Sequence, residues 1–396
     1  METLQLAVFN TQPPHIYEGG VERRILETAQ RLKTCAEVAV YSGTKAGFRQ
    51  PTEINGVHFY PVNSTDRVFP LDNWSFNRNL SKKISQIKAD IYEAHAVSGY
   101  KIPDALKKNA INKPFIHTIH GVLADEYEQA KKNPNQTIRE KSANLFMSYL
   151  AKLEGQTAKK ASMVVTISKY SVQKIQQHYG IDPKMIHLVP NGVDTDFFQP
   201  KSDKIMAQQQ FSLGEDPCVL FVGNLIPRKG LPYLIEAAKQ IIRKHPKTTF
   251  AIAGEGPLRD RLINSVQKQK IASNFKFLGK IEEKLLPSLY RASDVFVLPS
   301  LQEGQGIVLL EAQASSVPVV AFETGGVKEA LRNGETGILV NPKDNIALAE
   351  AVIKILDDNV LREKMGSNGR KFVVENFTWD ICAQKMLDIF QKALSD

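Results

Sequence analysis

Short apolar runs alternate with helix-length amphipathic segments along almost the whole chain, and no other feature restricts the fold as much. In the first half the runs are LQLAVFN, EVAVYS, DIYEAHA, PFIHTIHG, MVVTIS and IHLVPN; in the second they are CVLFVG, TTFAIAG, NFKFLG, DVFVLP, VPVVAF and GILVN. They are rich in Val, Ile and Phe and end near Gly, Asn, Ser or Pro, the pattern of strands covered on both faces. Between them, segments such as GLPYLIEAAKQIIRKH place apolar residues three and four apart, at Leu234, Ala237, Ala238, Ile241 and Ile242. Strand–helix alternation needs crossover connections, and these are right-handed. The chain is therefore predicted to be an α/β protein of doubly wound parallel sheets.

The alternation breaks once, after NGVD, at the polar stretch TDFFQPKSDKIMAQQQFSLGEDP. A linker there predicts two Rossmann-like domains, at residues 1–195 and 196–375. FTWDICAQKMLDIFQKAL follows no strand and reads as an amphipathic helix. It defines a terminal segment, 376–396, expected to pack back toward the N-terminal domain. Ligands of open parallel sheets bind outside the carboxyl ends of the strands. Two such domains facing across a cleft would line it with loops from both.

Composition excludes several classes. Apolar residues make up 42% of the 396 and charged residues 23%, so the chain can bury cores and is not disordered. Cys35, Cys218 and Cys382 form no CxxC pair, which argues against a disulfide framework or a thiolate metal site. METLQLAVFN lacks the basic-then-apolar order of a signal peptide. No stretch approaches the roughly 18 apolar residues of a transmembrane helix. The expectation is a cytoplasmic protein. The net charge of +9 favours anionic partners, while no nucleic-acid motif is present.

Four stretches carry candidate chemistry. SLQEGQGIVLLEAQA joins a strand to a helix, with Glu303 in the loop and Glu311 inside the helix. Gly304 and Gly306 let backbone approach a ligand, and free amides near the helix start, through Ile307, favour an anion. That combination suits a sugar nucleotide, with one carboxylate for each set of hydroxyls. FVGNLIPRKGLPYLIEAA sets Arg228 and Lys229 in another strand-to-helix loop, where cations can neutralise a diphosphate leaving group. GEGP, with Gly254, is a further backbone-exposing turn. Gly19 and Gly20 precede a helix in the manner of a phosphate-cradling loop, although neither GxGxxG nor a Walker lysine is present. Ser168, after a strand and before a helix, reads as an N-cap.

In this order the motifs resemble a known family. EGQGIVLLEA is similar to the E-x7-E signature of retaining glycosyltransferases of family 4, which have the GT-B fold. The resemblance runs from EGGVERR through HTIHG, TISKYS, VPNGVD, VGNLIPRKG and GEGP to FETGGVKEAL and NGETGILV. It implies that Glu311 binds the ribose of a nucleotide diphosphate sugar and that Glu303 holds hydroxyls of the donor sugar, near the amides of Gly304 to Ile307. It places Arg228 and Lys229 on the diphosphate, Gly20 and its neighbours against phosphate or acceptor, and His120 beside the reacting carbon. One departure weakens the diphosphate clamp. Many members carry arginine where this chain has Asn224, and Arg228 stands at a different position. DTD at 194–196 imitates the metal-binding motif of the other large glycosyltransferase fold but lies outside any donor loop. No metal and no cofactor are expected. His117 and His120 share HTIHG, and one of them is expected to be structural.

The implied function is retaining, metal-independent transfer of a hexose to a hydroxyl acceptor, either lipid-linked or a small polyol or sugar. A noncatalytic nucleotide-sugar binder and a GT-B epimerase or phosphorylase remain open alternatives. The acceptor is expected on the N-terminal domain. There RVFPLDNWSFNR sets Phe69, Trp74 and Phe76 between Arg67 and Arg78, and the pairs Lys107–Lys108, Lys131–Lys132 and Lys159–Lys160 add charge. Aromatics beside cations suit peripheral contact with an anionic membrane at its inner face. Ordinary loop packing and solvated lysines are the competing explanation.

Overall fold

The computed structural model describes residues 3–65, 70–131, 138–201 and 203–395, without the side chains of 138–143. Arg67, Phe69 and Lys132 lie outside the described residues. Two compact units divide the chain. One comprises Met1–Asn191 together with Trp379–Asp396, and the other Gly192–Thr378. The borders fall at 191/192 and 378/379 rather than 195/196 and 375/376 because the two crossing segments pair. The Val193 amide donates to the Phe377 carbonyl at 2.8 Å, and Val193 forms a parallel bridge with Thr378.

The first unit holds an eight-stranded sheet. Its strands are β1 (Leu4–Asn10), β2 (Ala36–Gly43), β3 (Thr52–Ile54), β4 (Val57–Val62), β5 (Ile91–His95), β6 (Phe115–Ile119), β7 (Met163–Thr166) and β8 (Ile186–Leu188). Their order is β3-β4-β2-β1-β5-β6-β7-β8, parallel except where β3 pairs with β4. Every residue of β5 and β6 is buried, although the two strands carry Glu93, His95, His117 and Thr118 among their apolar residues. The β3–β4 hairpin is absent from the sequence reading. Asn55 and Gly56 form its turn with φ of 53° and 78°, the left-handed pair that closes tight hairpins.

The helix Gly20–Leu32 packs beneath this sheet with the terminal helix Trp379–Ser395 against it. Arg31 Nε reaches Asp380 at 3.0 Å, and Trp379 is almost wholly buried. Phe76 also belongs to the core, on the helix Leu71–Lys83. It is therefore removed from the aromatic surface expected around Trp74. Trp74 itself is half exposed, with Arg78 stacked on its ring.

The second unit is a six-stranded, all-parallel sheet. It contains β9 (Cys218–Val222), β10 (Thr249–Ala253), β11 (Phe275–Gly279), β12 (Val295–Leu298), β13 (Val319–Phe322) and β14 (Gly337–Val340). The order is β11-β10-β9-β12-β13-β14. Phe221, Phe250, Phe296 and Phe322, from four adjacent strands, are among its largest fully buried side chains. The helix Leu231–Lys244 covers one face through Leu234, Ala237, Ala238 and Ile241, the residues its spacing selects. Strand order reverses direction between β9 and β12, so their outgoing loops diverge to opposite faces and leave a crevice. In the first unit the corresponding reversal lies between β1 and β5. No helix among the described residues is long and apolar enough to cross a membrane.

Candidate functional site

The crevice of the second unit is built from the loops that leave β9 and β12. Arg228 and Lys229 occupy a single 3-10 turn, Pro227–Lys229. Gly230 ends that turn at φ 66°, and a Cβ there would lie 1.9 Å from the Pro299 carbonyl oxygen. The missing side chain lets the two loops touch, and the Leu301 amide donates to the Arg228 carbonyl at 2.7 Å.

This contact brings the charges together. Lys229 Nζ lies 2.6 Å from Glu303 Oε2, and Arg228 Nη1 lies 3.8 Å from the same oxygen. Arg228 also donates to the Gln302 carbonyl at 3.2 Å, and Ser300 Oγ to Glu303 at 3.4 Å. Burial pushes the Glu303 carboxyl up, but Lys229 first and Arg228 second outweigh it, holding the carboxyl below its ordinary range. Glu303 is thus an ionised acid beside one buried and one exposed cation.

The loop after β13 completes the seat. Gly325, at φ 54°, would place a Cβ 2.0 Å from the Glu303 carbonyl oxygen, which accepts from the Gly326 amide at 3.0 Å. Thr324 Oγ1 donates to the Leu301 carbonyl at 2.9 Å. Glu311 lies in the helix Ile307–Ala314, just beyond the Gly306 cap, and is 3% exposed. Its Oε2 accepts from Tyr290 Oη at 2.7 Å. Gly304 and Ile307 flank the start of that helix and are partly exposed. Sequence reasoning missed Tyr290, whose only signal was its place in a helix preceding β12. It noted TGG at 324–326 within a motif without a contact to assign it.

Gly254 joins neighbouring loops. A Cβ there would lie 2.0 Å from the Gly223 carbonyl oxygen, and the Leu225 amide donates to Glu255 at 2.9 Å. Asn224 is exposed in the same loop. Both cations of this loop, Lys229 and Arg228, turn toward one carboxylate.

In the first unit Gly19 is extended and caps the helix that begins at Gly20. A Cβ on Gly19 would fall 2.2 Å from Glu22 Oε2. Glu22 is nearly buried, accepts from Asn10 Nδ2 at 3.1 Å, and is raised above the usual carboxylate range by burial. The Glu22 carboxylate thus fills the space that a side chain on Gly19 would take, a feature the glycine pair alone does not disclose.

The two histidines of HTIHG separate by role. His117 is wholly buried on β6 and donates from Nε2 to the Ala96 carbonyl at 2.6 Å; burial lowers its pKa to about 4. It braces the turn after β5, where Ala96 has φ 49°. His120 stands just past β6, partly exposed, with Nε2 2.9 Å from Nδ1 of His95. Burial, then Arg24 and His117, hold its pKa well below the ordinary value, so it is neutral. Ser168 Oγ caps its helix by accepting from the Ser171 amide at 3.1 Å. Asp194 of the DTD sequence accepts from the amides of Asp196 and Phe197 at 3.0 and 2.9 Å, the bonding of a turn. Among the described residues no cluster of three or more His, Cys, Asp or Glu side chains could hold a metal ion.

Comparison with known proteins bears on the same two units. Residues 18–197 match the family described as Glycosyltransferase Family 4, and residues 202–372 match Glycosyl transferases group 1. An uncharacterised glycosyltransferase of Methanocaldococcus jannaschii is 28% identical over 349 residues, 86% of each chain. The GDP-mannose-dependent alpha-(1-6)-phosphatidylinositol monomannoside mannosyltransferase of Mycolicibacterium smegmatis is 35% identical over 227 residues. That match covers 55% of this chain and 59% of the relative. The sucrose-phosphate synthase structure from Thermosynechococcus elongatus shares the fold, with a TM-score of 0.85 over 99% of each chain at 22% identity. The two family matches together take in most of the chain, and the protein belongs to the family 4, group 1 glycosyltransferases of GT-B type.

Proposed function

We propose that the protein is a retaining, metal-independent hexosyltransferase that moves a hexose from a nucleotide diphosphate sugar to a hydroxyl acceptor. The observation that carries this reading is the Lys229–Glu303–Arg228 cluster at the strand-order reversal of the second unit. As the glycosidic bond to the diphosphate breaks, negative charge grows on the leaving group and positive charge on the sugar. Lys229 and Arg228 answer the first, with the amides from Gly304 to Ile307 beside them. Glu303, kept ionised, accepts from hydroxyls of the donor sugar. Glu311, oriented by Tyr290, accepts from the ribose. Asn224 and Gly254 shape the same phosphate-side loops, Gly19 and Gly20 lie toward phosphate or acceptor, and His120 meets the donor sugar near the reacting carbon.

No carboxylate is assigned as a nucleophile, so the acceptor attacks on the face from which the diphosphate leaves. The mannosyltransferase relative supports a GDP-hexose donor and a lipid-linked acceptor. Half-exposed Trp74 with Arg78 over its ring supports peripheral membrane contact. Its test is flotation with anionic and neutral vesicles, where equal recovery in the soluble fraction would point to a small polyol or sugar instead.

The deciding experiment incubates the protein with UDP-, GDP- and ADP-hexoses and candidate acceptors, with EDTA present throughout. Release of nucleoside diphosphate and a product that keeps the donor's anomeric configuration are expected. Tight donor binding without release would indicate a noncatalytic binder. Inverted product, or activity only after divalent metal is restored, would overturn the mechanism.

A further inference from the structure

Glu93, His95 and His120 form a chain through the interior of the first unit. Glu93 and His95 are two apart on β5 and so face the same side; they are 6% and 2% exposed. Parallel pairing sets His95 opposite Thr118 of β6, two residues before His120. Thr118 Oγ1 donates to Glu93 Oε1 at 2.6 Å. His95 Nε2 lies 3.4 Å from that same oxygen, and His95 Nδ1 lies 2.9 Å from His120 Nε2. The imidazoles stack with centroids 5.2 Å apart and planes 26° apart. Arg24, fully buried, is the nearby cation, and its field acts on all three groups. A carboxyl and an imidazole this deep are costly to bury, and the transfer reaction as set out gives neither a task.

We infer that Glu93 and His95 are positioning residues that fix the tautomer of His120, with hydrogen on Nε2 and an open lone pair on Nδ1 toward the ligand. This rests on the proposed contact between His120 and the donor sugar. The hydrogen positions follow from the acceptors. Burial raises the Glu93 carboxyl, while the Thr118 hydrogen bond and the Arg24 charge favour its ionised form. Oε1 of that carboxylate already accepts from Thr118, and a ring lone pair pointed at it from 3.4 Å would be repelled. His95 therefore carries its hydrogen on Nε2. Its Nδ1 is then an acceptor, and the 2.9 Å contact is satisfied only when His120 donates from Nε2. Burial and the Arg24 charge oppose a second proton on either ring, so both stay neutral. His120 is left with Nδ1 as an acceptor, suited to a sugar hydroxyl that donates and unsuited to one that must accept.

The test is nitrogen-15 NMR of the full chain labelled at histidine, with His120 assigned by loss of its signals in His120→Gln. The expected wild-type pattern is the Nε2–H tautomer. Glu93→Gln can donate to His95 Nε2, so the relay should reverse and place hydrogen on His120 Nδ1. Turnover should fall about 10- to 100-fold. His95→Asn keeps an acceptor oxygen near the Nδ1 position and should retain both tautomer and most activity; His95→Phe should retain neither. If Glu93→Gln does not fold, the wild-type tautomer and the His95 pair still decide. A wild-type His120 protonated on Nδ1, or a tautomer indifferent to Glu93→Gln or to the His95 variants, overturns the inference. A tautomer that reverses while turnover stays unchanged upholds the relay and instead defeats the sugar-contact role of His120.

Discussion

Lys229 and Glu303 are both nearly buried, and each makes the other tolerable there. A carboxylate at that depth would take up a proton without the ammonium 2.6 Å away. Lys229→Met should therefore do more than remove a diphosphate contact. It strands Glu303 and should lower stability by about 1–3 kcal/mol at neutral pH. Glu303 is depressed in the folded state, so its contribution is full above its unfolded pKa and is lost as pH falls through the lower folded value. The gap between wild type and Lys229→Met in urea unfolding should accordingly be widest near neutrality and close in acid. A gap that does not change with pH would mean that the ion pair is not what the substitution removes. Of this cluster the sequence disclosed the residues and their loops. The shared carboxylate oxygen became visible only with the fold, because Lys229 and Glu303 are far apart in the chain.

At the scale of elements, loops meet because particular side chains are missing or buried. Gly230 is one case: left-handed φ and a Cβ position 1.9 Å from a backbone oxygen leave no room for alanine. Gly230→Ala should push the β9 and β12 loops apart, costing about 2 kcal/mol or more and most of the donor affinity. Calorimetric titration with nucleoside diphosphate checks this, and unchanged affinity would show that the loops can part without harm. Glu154 is the other case. From the helix Ile138–Ala158 its wholly buried Oε2 accepts from Tyr179 Oη at 2.6 Å and from the Leu123 amide at 3.0 Å, tying three elements just past His120. Burial lifts its pKa to about 8, against hydrogen bonds from Tyr179 and Leu123 that act to lower it. The folded state then holds a proton that the unfolded chain has released, so stability declines as pH rises between the two pKa values. Glu154→Gln keeps an acceptor and carries no charge. It should flatten the decline between about pH 5 and 8, as read from melting temperatures across that range; an unaltered slope would assign the decline to other groups.

For the molecule as a whole, the terminal helix is an integral part of the first unit although it is remote in sequence. Trp379, Cys382, Ala383, Met386 and Phe390 are buried there, and Arg24 reaches Met386 Sδ at 3.4 Å. Ending the chain at Thr378 should expose the apolar side of the helix Gly20–Leu32 and lower the stability of the first unit by several kcal/mol, on the order of a few large core truncations. Trp74 is the other tryptophan and lies in the same unit. Its fluorescence in the truncated chain reports that unit, and an unchanged denaturation midpoint would show the helix to be dispensable.

The apolar alternation by itself determined the strand set of both sheets apart from one hairpin, their parallel sense, and the loops that carry Lys229, Arg228, Glu303, Glu311 and His120. Those properties are local: strand burial, crossover handedness and glycine-rich turns are written in residues close together. The hairpin is also legible, since Asn55–Gly56 between TEI and VHFYPV is the signal of a tight turn, though its first strand is too short to stand out as an apolar run. Tertiary structure alone decided the pairing of Lys229 with Glu303, the hold of Tyr290 on Glu311, the intrusion of Glu22 beside Gly19, and the line from Glu93 through His95 to His120. Each joins groups brought together by strand order or helix packing, and a polar contact depends on distances of a few tenths of an ångström that spacing along a chain does not encode.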